Sequence, residues 1–94
     1  MNTLNMNAIL QQNNNNLVDA GECLYKSIKN AVSHQDKLCI DMEGVTSLPS
    51  ILLNVSLGRV IDEDGKDKLK QSVGFVKITK QQAIRLRDYM SRYN

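Results

Sequence analysis

Tryptophan is absent from this chain, and phenylalanine occurs once, at Phe75. With only three tyrosines besides, there is no interleaving of aromatic and basic residues of the kind that stacks nucleic-acid bases. A single histidine, His34, leaves no ligand cluster from which to build a zinc site. The only two cysteines, Cys23 and Cys39, fall in a predicted helix and a predicted strand, so they read as small reduced hydrophobes of a cytosolic protein. Glycine is sparse, and the isolated Gly44 and Gly58 match neither nucleotide-binding fingerprint. The net charge of +2 is too small to imply nucleic acid or an anionic membrane as partner. No apolar run approaches the roughly 20 residues that cross a bilayer. Residues Met1 to Leu10 are laced with asparagine, unlike a signal peptide, so a cytoplasmic location is expected.

What is present is organised around the stretch from Leu38 to Arg59. Leu38 to Met42 is an apolar run broken only by Asp41, too short for a stable helix and suited to a strand covered on both faces. Gly44 supplies a turn residue free to take a positive φ. Pro49 and Ser50 then announce a helix, with Ser50 as N-cap and proline tolerated in the first turn. Most positions from Ile51 to Ile61 are apolar, which predicts a helix buried around much of its circumference. The unit is strand, tight loop, buried helix. Its loop lies at the carboxyl end of a strand, where open α/β sheets bind ligands and partners.

The rest of the 94 residues fits one domain with a modest core. Leu4, Met6, Ala8 and Leu10 alternate with Asn5, Asn7 and Ile9, a period of two that predicts a strand over residues 4–10. The tract Gln11 to Asn16 ends it in a turn. Asp19 as N-cap and Glu22 three residues on form an expected capping box. Gly21, Leu24, Ile28 and Ala31 then recur at helical spacing. A polar link from Ser33 to Lys37 leads back to the central strand, and strand, helix, strand in parallel gives a right-handed βαβ unit. Asp62 to Lys68 reads as a solvated charged loop, with Leu69 anchoring it to the core. Val73 to Ile78 is a third strand. Thr79 and Gln82 form a capping box for a last helix whose inward stripe is Ala83, Leu86, Met90 and Tyr93. Lys80, Arg85, Arg87 and Arg92 make its outer surface basic.

These residues do not assemble an enzyme. His34 has only Ser33 beside it, and adjacent side chains of an extended link point apart. The acidic run does not fit an EF-hand calcium loop, because the twelfth position counted from Asp62 is Val73 and lysines compete for the acids, so the solvated-loop reading is preferred. Asp41 and Glu43 share a face at the strand end, where acids more often accept backbone N–H bonds than do acid–base work.

The stretch Asp41, Gly44, Val45, Thr46, Ser50, Leu53, Leu57, Gly58, Arg59 resembles the signature of STAS domains, the fold of anti-sigma factor antagonists and of the cytoplasmic ends of sulfate transporters. Pro49, Ile51 and Leu52 depart from it at the positions of an acid, the usual phosphoacceptor serine and a glycine. From Gly21 to the C-terminal helix the chain is more similar to a STAS-like family of uncharacterised function, often found with histidine-kinase-type ATPases. There Asp-x-x-Gly-Val is followed by Ser and a large apolar residue, as in Asp41 to Val45 and Ser50-Ile51.

The resemblance implies a small α/β domain, a sheet of three or four strands with helices packed on it. It implies a bacterial, non-catalytic, regulatory interaction module in signalling, whose partner is a histidine-kinase-type ATPase or another switch protein. Contact is expected through the loop and helix start at 44–54. The candidate partner-binding or phospho-switch residues are Asp41, Thr46, Ser47, Ser50, Asn54 and Arg59, with no cofactor or metal. Phosphorylation of Ser50 would add about −1.5 to −2 charges at a helix N-terminus; as a plain cap, Ser50 has a structural role alone. Two alternatives stay open. One is a small anionic ligand such as a nucleotide, bound at that helix start with charge from Arg59 and the C-terminal arginines. The other is a stand-alone inhibitor or assembly protein on a borrowed fold. An edge strand at 4–10 could pair with a second copy.

Overall fold

The computed structural model describes residues 2–93. Three short parallel strands form the sheet: β1 (Asn2–Asn5), β2 (Leu38–Asp41) and β3 (Val73–Val76), in the order β1-β2-β3. Asn2 stands opposite Leu38 and Leu38 opposite Val73, and the register runs through to Asn5, Asp41 and Val76. The chain has the small α/β architecture expected of a STAS-like fold.

Strand order equal to sequence order explains where the helices go. Both crossovers advance in the same direction across the sheet, and right-handed crossovers then place all their helices on one face. That face carries Leu4, Leu38, Ile40, Val73 and Phe75; Ile40 is fully buried. The other face carries Thr3, Asn5, Gly74 and Val76, all exposed, with Cys39 and Asp41 half-buried between them. The central strand is therefore covered on one face, where its sequence predicted two.

The N-terminal alternation was misleading. The strand stops at Asn5, whose side chain accepts from the Ala8 amide at 2.8 Å and caps α1 (Met6–Gln12). Met6, Ile9 and Leu10 have helical spacing while Met6 and Leu10 also fit the alternation, and β1 extends only as far as β2 can pair with it. In the turn after α1, Asn14 and Asn15 adopt φ of 55° and 59°, the left-handed conformation that asparagine tolerates. The long helix α2 (Leu17–Ser33) starts three residues earlier than predicted. Asn16, not Asp19, is its cap, accepting from the Asp19 amide at 3.0 Å, and Glu22 instead pairs with Arg59 at 2.7 Å. Ala20, Leu24, Ile28 and Ala31 form its buried stripe, and the exposed Cys23 lies off that stripe.

After the loop from β2, residues 50–64 form one rod: α3 (Ser50–Leu53), a π-helical segment (Asn54–Gly58) and α4 (Arg59–Asp64). Leu52, Leu53, Leu57, Val60 and Ile61 bury it against α2 and the sheet. Each such side chain removed from water contributes about 1.5–3 kcal/mol. The two helices run parallel, with Gly21 against Val55, Glu22 and Tyr25 beside Arg59, and Lys29 beside Asp64. The predicted solvated loop is a helix for most of its length. Gly65, at φ 96°, breaks the rod, and α5 (Lys66–Ser72) follows, held by the buried Leu69. The last helix, α6 (Lys80–Met90), has the predicted reciprocal capping box between Thr79 and Gln82. Its buried stripe is Gln82, Leu86 and Tyr89; Ala83 faces out. No described helix is long and apolar enough to cross a membrane.

Candidate functional site

The loop between β2 and α3 is pinned at both ends and proud in the middle. Asp41 Oδ1 accepts from the Glu43 amide at 2.9 Å, which starts the turn, and the Val45 amide closes it on the Met42 carbonyl at 3.0 Å. Gly44 sits at φ 82°, and a Cβ there would lie 2.9 Å from Asn7 Nδ2. Val45 and Leu48 plunge into the core as two plugs, while Thr46 and Ser47 between them stay exposed.

Helix α6 completes the clamp. Gln82 Nε2 donates to the Val45 carbonyl at 2.6 Å, and Arg85 Nε donates to the Leu48 carbonyl at 2.9 Å. Arg85 also donates through Nη2 to the Ser50 hydroxyl at 2.8 Å. One turn further, the Tyr89 hydroxyl donates to Asn54 Oδ1 at 2.7 Å and lies 3.1 Å from the Tyr93 hydroxyl. Burial raises the Tyr89 pKa above the ordinary phenol value, with the Tyr93 hydrogen bond adding to it. The π segment presents Gly58 beneath these two rings, and a Cβ there would run into both hydroxyls. Ser50 is the first helical residue; Pro49 occupies the cap position and has no side-chain cap bond. The expected assignment of Ser50 as N-cap is thus replaced by a hydroxyl held by Arg85, because Pro49, at φ −62° and ψ 146°, already stands at the extended cap position.

Of the six candidates, Thr46, Ser47 and Ser50 lie together on this loop. Asn54 lies one turn along the rod, its side chain already engaged by Tyr89. Asp41 sits beneath the loop, with Lys77 Nζ 3.8 Å from Asp41 and 3.0 Å from Glu43. The Glu43 bond, then the Asp41 charge, raise the Lys77 pKa. Arg59 is elsewhere, about 13 Å along the rod from Ser50 at 1.5 Å per residue. There it bonds Glu22 and stacks 3.8 Å above the Tyr25 ring, in a lateral network with Glu63, Lys29 and Asp64. Tyr25 donates to Glu63, and that bond is the main cause of the depressed Glu63 pKa. Arg59 therefore staples α2 to the rod and does not reach the loop.

Sequence reasoning missed Gln82 and Tyr89 as parts of the site, and reached Arg85 only as one of the C-terminal arginines that would supply charge to a ligand there. Their spacing of three and four residues on α6 places them on one helical face, a signal obscured by the mixed chemistry of the three side chains.

Residues 20–83 match the sequence model of the family described as STAS-like domain of unknown function (DUF4325). The chain belongs to this family. The matched span of the STAS-like domain holds the whole loop, all six candidates, and both Gln82 and the capping residue Thr79. No curated protein and no solved structure gives a match. Among the described residues, no three of the His, Cys, Asp and Glu side chains gather to hold a metal ion.

Proposed function

We propose that this STAS-like domain is a non-catalytic regulatory module that docks a partner protein through residues 44–54, with a histidine-kinase-type ATPase as the expected partner class. The observation that carries the reading is the shape of the loop. It stands as a fixed ridge at the carboxyl ends of the strands, with its backbone carbonyls tied to α6 and Thr46 and Ser47 outward. Two large apolar side chains flank it: Ile51, 48% exposed, and Val18, 46% exposed. Because α2 and the rod run parallel, these two lie at the same end, each about one turn upstream of the Gly21–Val55 contact. Rigid polar contacts beside exposed apolar anchors suit a protein interface, where buried anchors supply most of the binding energy.

Ser50 gives the surface a means of control. A phosphoryl group there would meet Arg85, whose guanidinium already reaches the hydroxyl, and would change the charge of the docking face.

The test is a binding titration of the full chain against a purified histidine-kinase-type ATPase, repeated with Ile51→Asp and Ser50→Asp. Binding by the parent chain and loss in both variants, each with an unchanged melting temperature, supports the reading. Binding that survives both substitutions overturns it. A second reading has one feature in its favour, a depression of about 340 Å³ lined by Thr46, Ser47, Thr79 and Arg85. A small anion seated there would raise the melting temperature in a nucleotide screen, and that rise would vanish in Arg85→Ala.

A further inference from the structure

On the side of the molecule away from β1, the sheet ends in an unprotected edge. In a parallel ladder each residue directs both its backbone groups to the same side, and successive residues alternate sides. The Met42 amide bonds the Val76 carbonyl at 3.0 Å, so Val76 and Gly74 serve β2. Val73 and Phe75 then turn their backbone groups outward. The Val73 amide is used by the Leu69 carbonyl at the end of α5. The Val73 carbonyl and both backbone groups of Phe75 have no partner among the described residues.

The surroundings of this edge are shaped on both faces. On the helical face a groove of about 390 Å³ separates α5 from α6, floored by Leu69, Val73, Phe75 and Met90. On its other side α6 is fastened to the loop and the rod through Gln82, Arg85 and Tyr89. On the open face a second depression, of about 170 Å³, runs beside Cys39, Gly74 and Val76. Val73, Phe75 and Lys70 line both.

The rim decides the occupant. Lys66, Lys70 and Arg87 surround the groove, and no acid among the described residues pairs with any of them; Lys66 donates only to the Tyr93 carbonyl. Two copies meeting edge to edge through β3 would bring like charges together, which disfavours a symmetric dimer here.

We propose that the β3 edge is a docking site for an extended acidic segment of another protein. That segment pairs with the free groups of Val73 and Phe75 as a fourth strand and alternates apolar side chains into the two depressions. The site is separate from the 44–54 loop and does not depend on the reading given for it.

The test selects from a random dodecapeptide library on the immobilised full chain, then measures the enriched peptide by fluorescence anisotropy. Enrichment of alternating apolar and acidic residues is expected, together with slowed exchange of the Phe75 amide in the complex. Reversing the rim in Lys70→Glu/Arg87→Glu should weaken binding about tenfold. Lys70→Gln/Arg87→Gln replaces that variant if its circular dichroism departs from the parent's, and should weaken binding in the same direction. No enrichment, enriched peptides without acids, or affinity indifferent to the rim charges would each overturn the proposal. So would a chain that dimerises alone with its Phe75 amide already protected.

Discussion

Gln82 links the capping of α6 to the position of the loop, and its replacement separates the two roles. The side chain is 5% exposed; its Oε1 accepts from the Thr79 amide and its Nε2 donates to the Val45 carbonyl. Gln82→Ala orphans that buried carbonyl, at about 1–3 kcal/mol. It also removes half of the capping box, at about 1 kcal/mol. The expected loss is about 2–4 kcal/mol, or roughly 10–25 °C in melting temperature for a domain of this size.

Gln82→Glu keeps the acceptor for Thr79 but turns a carboxylate oxygen toward the Val45 carbonyl. Desolvation and the facing carbonyl raise its folded pKa above the unfolded value of about 4.3. A group with a raised folded pKa is most favourable below its unfolded pKa and loses that stability as pH rises through the folded one. The variant should therefore be strongly destabilised near neutral pH. At about pH 4 it should approach the parent, because the protonated acid can again donate to Val45. Thermal unfolding followed by circular dichroism at both pH values reads this directly. A loss under about 3 °C in Gln82→Ala, or a deficit in Gln82→Glu that ignores pH, would refute the link between α6 and the loop.

Other substitutions probe the remaining contacts. Gly44→Ala places an L side chain at φ 82° against Asn7, so urea unfolding should show a loss of about 1–2 kcal/mol, only part of it restored by adding Asn7→Ala. Gly58→Ala drives a methyl into the Tyr89 and Tyr93 hydroxyls, and near-ultraviolet circular dichroism should show the two rings, 5.6 Å apart in the parent, displaced. Leu69→Ala should cost about 2–5 kcal/mol by denaturant unfolding, because that buried side chain holds α5. The depressed pKa of Glu63 contributes stability above the ordinary carboxylate range that is lost as pH falls through the folded value. The difference in melting temperature between the parent and Glu63→Gln should thus close in acid.

Most of the candidate loop was legible because its signals are local. Asp41, Gly44 and Pro49 each act within two or three residues, through an Asx turn, a positive φ and a fixed extended entry to the helix. What holds the loop was not legible. Arg85 and Ser50 are 35 residues apart in the chain, and nothing in either neighbourhood predicts that one side chain reaches the other. Arg59 shows the converse. Its place in the Gly-Arg signature drew it into the site, whereas the parallel packing of α2 and the rod uses it for Glu22 and Tyr25.

The same division holds for the fold. Sequence alone determined β2, the apolar stripes of α2 and the rod, and the Thr79–Gln82 cap, since each rests on spacing or on a bond closed within one turn. Tertiary structure decided where β1 gives way to α1, because helical and alternating patterns coincide there and only pairing with β2 sets the strand length. It also decided that residues 66–72 are helical, since a lone buried Leu69 in a charged run carries almost no periodicity until the core receives it. Finally, it left one face of the sheet open, a consequence of two crossovers of the same hand that no single residue encodes.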